Sequence, residues 1–375
     1  MIGTRGLPAS DGGVERSVEA LSRELVRRGH RVTVYGRRGY CDPRLRWHEG
    51  IRQIPLPQAN TKHLEAISHT ALATSHALTR GDYDLVHFHA TGPSLLSWVP
   101  QLKGIPTVAT IQGMDWKREK WGPPAKGVLR LAARVASTVP DETIVVSRVL
   151  QGLLMEYYGR ESHYIPNGVD LTGMTDVQPV KGLGERPFAL FLGRIVPEKQ
   201  VHVLIEAFSR LQGDFQLAIA GSSSHSDEYV ERVSKLAAAD KRVVLLGSRY
   251  GAEKAWLLEN ATVFVQPSTI EGLPIALLEA LACDQVTIVS DIPENVEAVT
   301  VQDDGPYGVV FRTGDVEDLA QKLNQALSPG SRLPSDTPRV GQLVRDKYNW
   351  KHLAEQTELV YRRALDRRDS ATPGR

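Results

Sequence analysis

Two carboxylates, Glu271 and Glu279, stand eight positions apart across the turn Gly272-Leu273-Pro274-Ile275. Proline favours the first position of a helix, so a helix starting near Pro274 leaves Glu271 in the preceding loop. Glu279 then falls between one and two turns into that helix. The unpaired N–H groups at the helix start and the positive end of its dipole form a ready phosphate site. A diphosphate flanked by two hydroxyl-accepting carboxylates is the outline of a nucleotide sugar. The plainer account makes Glu271 a complement to the helix dipole and Glu279 a solvated helix residue. Glycoside hydrolysis also uses two carboxylates, but eight residues of continuous helix rise roughly 12 Å. That exceeds the roughly 5–9.5 Å separation hydrolysis needs.

A second constellation is cationic. Phe188-Ala-Leu-Phe-Leu-Gly193 is a short apolar run ending in glycine, which reads as a buried parallel strand. Arg194 and Lys199 follow in the loop before the next helical run, Val201 to Phe208. Open α/β sheets bind ligands at the carboxyl ends of their strands, where such a loop lies. Two cations there can neutralise a leaving diphosphate without a metal. Taken alone, basic loop residues are usually solvated; the Glu271/Glu279 element is what gives them meaning.

Something must position both constellations. At 375 residues the chain suits two domains rather than one core. Apolar content of 41% and charged content of 24% are those of a globular protein. The net charge of +1 argues against a broad nucleic-acid surface. Cys41 and Cys283 offer neither a disulfide framework nor metal-ligand spacing. No secretory signal and no run of about 18 apolar residues is visible, so a cytoplasmic location is expected.

Strands alternate with helices along both halves, implying parallel, doubly wound sheets. In the first half, Met1-Ile2-Gly3 reads as the stub of a strand that lacks the few residues expected ahead of it. A Gly/Pro-rich loop and a helix from about Val14 to Arg28 follow, with Val14, Val18, Leu21 and Leu25 on one face. Further strands are expected near Val32–Tyr35, Leu85–Phe88, Thr107–Thr110 and Thr143–Val146. In the second half they are expected at Phe188–Leu192, Gln216–Ile219, Val243–Leu246, Val263–Gln266 and Val286–Ser290. Residues 1–175 form the expected N-terminal, acceptor-side domain and 176–187 the linker. Residues 188–347 form the expected donor domain, and 348–368 a helix returning to the first domain. The stretch 328–338 reads as loop and the last residues, from Asp369, as disordered.

Several spaced motifs now resemble one family over nearly the whole chain: the retaining glycosyltransferases of family 4 (GT4), with the GT-B fold. They are Gly12-Gly13 before the first helix, Ile165-Pro-Asn-Gly-Val-Asp170, Gly193-Arg194 with Lys199, the pair Glu271 and Glu279, and Tyr348-Asn-Trp350 before a final helix. The wording of Ile2 to Pro8 and of Gly113 to Trp121 further resembles a bacterial surface-polysaccharide branch that includes rhamnosyltransferases.

The resemblance implies two Rossmann-like doubly wound domains facing across a cleft, with a C-terminal helix crossing back to the first. It implies a metal-independent hexosyl transfer from a nucleotide diphosphate sugar to an acceptor hydroxyl, with retention of configuration. Glu279 would hold the ribose and Glu271 the donor sugar. Gly193, Arg194 and Lys199 would contact the diphosphate, and Gly272, Leu273, Pro274 and Ile275 complete the donor loop. Gly12 and Gly13 would let backbone approach the donor phosphate or the acceptor. No cofactor is expected beyond the nucleotide sugar as co-substrate. The expected acceptor is a glycan, lipid-linked or small-molecule hydroxyl.

One departure concerns the chemistry. Family members carry a histidine just after the strand that here ends at Thr110, where this chain has Gln112. An amide can hydrogen-bond a sugar hydroxyl but carries no proton at neutral pH, so Gln112 is expected to bind rather than catalyse. It also keeps open a catalytically weak nucleotide-sugar-binding protein, and the architecture keeps open a nucleotide-sugar epimerase.

Other features read as structural. Asp82-Tyr83-Asp84 leads straight into a strand, His87 and His89 alternate on a strand end, and Gly3-Thr-Arg-Gly6 lacks the dinucleotide fingerprint. Between Trp116 and Arg134 the charge is lopsided: Lys117, Arg118, Lys120, Lys126, Arg130 and Arg134 face the single acid Glu119. With Asp115 just ahead of it, this stretch is either a solvated helix face or a surface for an anionic membrane or lipid-diphosphate acceptor.

Overall fold

The computed structural model describes residues 1–9, 12–59, 64–117, 122–171, 179–184, 186–222, 227–302, 305–328 and 340–371. Among them the strands are β1 (Thr33–Arg37), β2 (Trp47–His48), β3 (Ile51–Leu56), β4 (Val86–His89), β5 (Thr107–Ile111), β6 (Glu142–Val145), β7 (His163–Tyr164), β8 (Phe188–Leu192), β9 (Gln216–Ala220), β10 (Val243–Gly247), β11 (Val263–Gln266), β12 (Thr287–Ser290) and β13 (Val309–Phe311). The α-helices are α1 (Gly13–Arg27), α2 (Glu65–Arg80), α3 (Trp98–Gln101), α4 (Pro123–Thr138), α5 (Arg148–Tyr158), α6 (Val201–Phe208), α7 (Asp227–Ala238), α8 (Gly251–Asn260), α9 (Ile275–Ala282), α10 (Pro293–Val299), α11 (Val316–Leu327), α12 (Val340–Lys347) and α13 (Trp350–Ala371).

The chain folds as two compact units, Met1–Gly168 with Trp350–Arg375, and Val169–Asn349. The expected linker 176–187 overlaps residues 172–178 and 185, outside the described residues, as is most of the expected loop 328–338.

In the second unit all six strands run parallel in the order β10-β9-β8-β11-β12-β13. The order reverses between β8 and β11, and ligands bind at the carboxyl ends of strands at such a switch point. Both strands are buried along their whole length, as a parallel sheet covered on two faces requires. Helix α6 carries apolar residues almost all round, and Val201, Val203, Leu204, Ile205 and Phe208 join Phe191, Leu217 and Ile219 in the core. Each such side chain contributes about 1.5–3 kcal/mol on burial, which makes the site's platform rigid.

The first unit holds two sheets, β1-β3-β2 and β4-β5-β6-β7. Met1 and Ile2 stitch them together. Met1 exchanges hydrogen bonds with Thr33 and Tyr35 on one side, and Ile2 with His87 and His89 on the other, at 2.8–3.1 Å. The strand stub of the sequence is thus a short central segment paired on both edges. Helix α1 buries Val18, Leu21 and Leu25 in one stripe, against which Trp350 and Ala354 of α13 also pack.

Helix α13 belongs to this first unit. Leu353, Val360 and Ala364 share a core with Val108, Ile144 and Ile165. Tyr361 bonds His87 at 2.7 Å, while Arg28 pairs with Glu355 and Glu358 at 3.0 and 2.7 Å. Asp369 to Ala371 continue the helix rather than fraying, and Arg368 anchors this end on Asp141 at 2.8 Å.

The hairpin β2–β3 and the short β13 were not anticipated. Pro55 argues against a strand, yet it lies beyond the end of two-residue β2, where no outer neighbour needs its N–H.

Candidate active site

The loop after β8 is held close to its neighbour. Gly193 N–H donates to Ala220 O at 3.1 Å and Ile195 N–H to Ser222 O at 3.0 Å, carrying the β8–β9 pairing past the strand ends. A Cβ on Gly221 would lie 1.8 Å from the Gly193 carbonyl oxygen, so only glycine allows this approach. The chain then makes a 3-10 turn, Pro197–Lys199, before Gln200 adopts a left-handed conformation (φ 51°) and opens α6. Arg194 and Lys199 are both half-buried on this loop.

The loop after β11 meets it. Thr269 N–H donates to Glu198 O at 2.9 Å, clamping one loop to the other. Lys199 Nζ lies 2.5 Å from Glu271 Oε1, with side chains only 16% and 10% exposed. The same Glu271 oxygen accepts from Gln266 Nε2 at 2.5 Å, and Gln266 also donates to Ser268 Oγ at 2.9 Å. Behind them, Ser290 Oγ donates to Ser268 O at 2.5 Å and Asn295 Nδ2 to Ser290 Oγ at 2.9 Å. Gln266, Ser268, Ser290 and Asn295 are all buried, and these bonds tie the loop after β11 to β12 and α10.

Pro274 caps α9 without a side-chain hydrogen bond, at φ −75°, and the helix runs Ile275–Ala282. Glu271 and Gly272 therefore precede the helix, and Leu273 and Pro274 are buried at its start. Glu279 is the fifth helical residue and only 3% exposed; its Oε1 is 2.5 Å from Lys254 Nζ on α8. It is not the solvated helix residue of the plainer account. The second unit thus joins the loop that carries Gly193, Arg194 and Lys199 to the loop that carries Glu271 ahead of α9, and adds Gln266 beside Glu271 and Lys254 beside Glu279. Neither addition has a local sequence signal, because each meets its carboxylate through the fold.

In the first unit, Gly12 (φ 93°) caps α1, which begins at Gly13. Glu15 curls back over this turn: a Cβ on Gly12 would lie 2.3 Å from Glu15 Oε2. Ser17 Oγ donates to Asn167 Oδ1 at 2.8 Å, and a Cβ on Gly168 would lie 2.6 Å from the Trp350 indole. The Asn-Gly motif thus braces α1 and seats the final helix. Gln112 is half-buried, just past β5, two residues beyond Thr110, whose Oγ1 bonds His87 Nε2 at 2.7 Å.

The rings of His87 and His89 on β4 lie 4.0 Å apart, tilted by 32°, and both residues are 2% exposed. Burial lowers His87 well below the usual histidine range and His89 to about 3, so both are neutral parts of the interior. Asp115 and Lys117 lie in a 3-10 turn with Lys117 exposed, while Arg118 and Lys120 are outside the described residues. Trp116, at the start of the basic stretch, is buried at 7% exposure. Among the described residues one group of side chains lies within metal-binding reach, Glu19, His48 and Glu49 on α1 and the β2–β3 turn, and it includes no candidate site residue. No helix among the described residues is long and apolar enough to cross a membrane.

Residues 11–172 match the family model described as Glycosyltransferase Family 4, and residues 175–336 the model described as Glycosyl transferases group 1. An alpha-maltose-1-phosphate synthase from Mycolicibacterium smegmatis is 29% identical over 308 residues, covering 74% of this chain and 79% of that protein. A phosphatidyl-myo-inositol mannosyltransferase of the same organism is 27% identical over 367 residues, covering 93% and 90%. Among solved structures, a sucrose-phosphate synthase from Thermosynechococcus elongatus superposes with a TM-score of 0.80 at 21% identity, covering 98% of each chain. Two parallel-sheet α/β units, a cation- and carboxylate-bearing switch point in the second, and consecutive family matches along most of the chain make this protein a nucleotide-sugar-dependent glycosyltransferase of family 4 with the GT-B fold.

Proposed function

We propose that the second unit binds a nucleotide diphosphate sugar with its diphosphate at the amino end of α9 and beside Arg194 and Lys199. Glu271 accepts hydroxyls of the donor sugar and Glu279 those of the ribose. The observation that carries this reading is the clamp of the two switch-point loops, which holds Lys199 2.5 Å from Glu271. Negative charge grows on the leaving diphosphate as the sugar bond breaks, and two cations plus first-turn amides stabilise it without a metal. The donor's own β-phosphate oxygen takes the proton of the attacking hydroxyl on the face the diphosphate leaves, so configuration is retained. The protein then supplies position and charge rather than a strong base.

Gln112 fits this economy as a hydrogen-bonding residue, and Gly12 and Gly13 as a turn that a phosphate or acceptor can approach closely. We further propose that the acceptor is a glycan or lipid-linked hydroxyl met beside the basic surface around Lys117 and α4, against an anionic membrane. The exposure of Val128 and Leu131, at 57% and 55%, beside Arg130 and Arg134 supports that surface.

Incubation with UDP-, dTDP- and GDP-sugars tests the donor reading. Saturable binding or slow release of a nucleoside diphosphate from at least one is expected. Indifference to the whole set would remove its basis. A second reading, a weak nucleotide-sugar-binding protein, is motivated by Gln112 and by the short first strand segment at Met1 and Ile2. A Gln112→His variant with greatly raised turnover would favour it, whereas a drop would place Gln112 in a working site.

A further inference from the structure

Lys254 belongs to none of the motifs, yet its ammonium lies 2.5 Å from Glu279 Oε1, with side chains 14% and 3% exposed. A carboxylate that dry requires a counter-charge and a fixed geometry, and a charge-assisted hydrogen bond supplies both. The lysine also cancels a negative charge that would otherwise repel a bound diphosphate. Lys199 meets Glu271 in a similar way, but from the loop that carries the phosphate-binding candidates. Lys254 comes from a separate helix, α8, whose neighbouring acid Glu253 faces Arg249, just ahead of the helix, at 3.7 Å. Its ammonium donates to the buried glutamate.

We propose that Lys254 is a positioning residue that presents Glu279 to the ribose hydroxyls and so sets the preference for ribonucleotide over 2′-deoxyribonucleotide donors. This rests on Glu279 being the ribose acceptor. A hydroxyl finds its acceptor only where the carboxylate is already oriented; a loosened Glu279 can swing away or take water instead, and the 2′-hydroxyl then contributes little.

Calorimetric titration of the full chain with UDP, ADP and GDP and their 2′-deoxy counterparts tests this, using the base that binds tightest. The wild type is expected to favour the ribose form by about tenfold or more, the scale of a lost hydrogen bond to a charged group. In Lys254→Met the ribose form weakens by about 10- to 100-fold and the deoxy form much less, so the ratio approaches one. Lys254→Arg keeps most of the ratio.

In a Glu279→Gln background, adding Lys254→Met changes neither affinity further. That double variant replaces the buried pair by neutral groups and serves if Lys254→Met alone does not fold. Equal weakening of both forms, or an undiminished effect of Lys254→Met beside Glu279→Gln, overturns the positioning role. A wild-type ribose preference that survives Lys254→Met also rejects Lys254, while leaving the donor site standing. Failure of the wild type to bind any nucleoside diphosphate rejects the donor site itself.

Discussion

At Glu271 a single carboxylate oxygen takes hydrogen bonds from Lys199 and Gln266, each at 2.5 Å. Two donors on one oxygen fix the side chain before any ligand arrives. The ion pair also holds Lys199 on the loop facing the diphosphate candidate site. Replacing Arg194 or Lys199 by alanine removes a cation where charge develops, and steady-state rates are expected to fall by on the order of 10²–10³. EDTA is expected to leave the rate of the wild type and of each variant unchanged, and an absolute need for Mg²⁺ or Mn²⁺ would count against these residues as the charge carriers. The carboxylates were legible in the sequence because eight-residue spacing across a Gly/Pro turn has local meaning. Lys254 was not, since its meeting with Glu279 depends on how α8 packs, and Gln266 was not, since its reach to Glu271 depends on the bend of the loop between them.

At the scale of elements, short, mainly apolar runs identified β8, β9 and β11 because parallel strands covered on both faces do not alternate in polarity. The hairpin β2–β3 was obscured by Pro55, and the tail of α13 by its charged composition, although Arg368 ties that end to Asp141. Helix α4 shows where sequence and structure part. Trp116 was read with the surface but is buried, whereas Val128 and Leu131 on α4 are the exposed apolar residues, beside Arg130 and Arg134. If α4 meets an anionic membrane, the protein sediments with phosphatidylserine-containing vesicles and is released by salt, since the Debye length is about 8 Å at physiological ionic strength. Exchanging Lys117, Arg130 and Arg134 for glutamine is expected to abolish sedimentation and spare nucleotide binding. Equal binding to neutral vesicles, or none, would favour an acceptor free in solution.

For the molecule as a whole, buried histidines set the acid limit of the first unit. Burial lowers His69 to about 4 and His89 to about 3, against an ordinary 6.5. The folded chain keeps these rings neutral while the unfolded chain binds protons below pH 6.5. Their contribution is therefore complete above about pH 7 and is lost as pH falls from 6.5 toward 4 and 3. Each ring adds a slope of up to about 1.4 kcal/mol per pH unit in that window. Urea midpoints are expected to be flat near neutrality and to fall steadily below pH 6.5, less steeply in His69→Asn; a midpoint constant down to pH 5 would contradict this. That both units are parallel-sheet α/β structures, with the last helix packed on the first, was legible from the order of motifs, since each motif marks a strand end or a helix start. The central claim, transfer from a nucleotide diphosphate sugar with retention, is tested most directly by proton NMR of the sugar released from an α-linked donor the protein binds. The expected first product is the α-anomer together with free nucleoside diphosphate, formed before mutarotation and strongly slowed in Lys199→Ala. First appearance of the β-anomer, or of an altered sugar still joined to its nucleotide, would contradict the account.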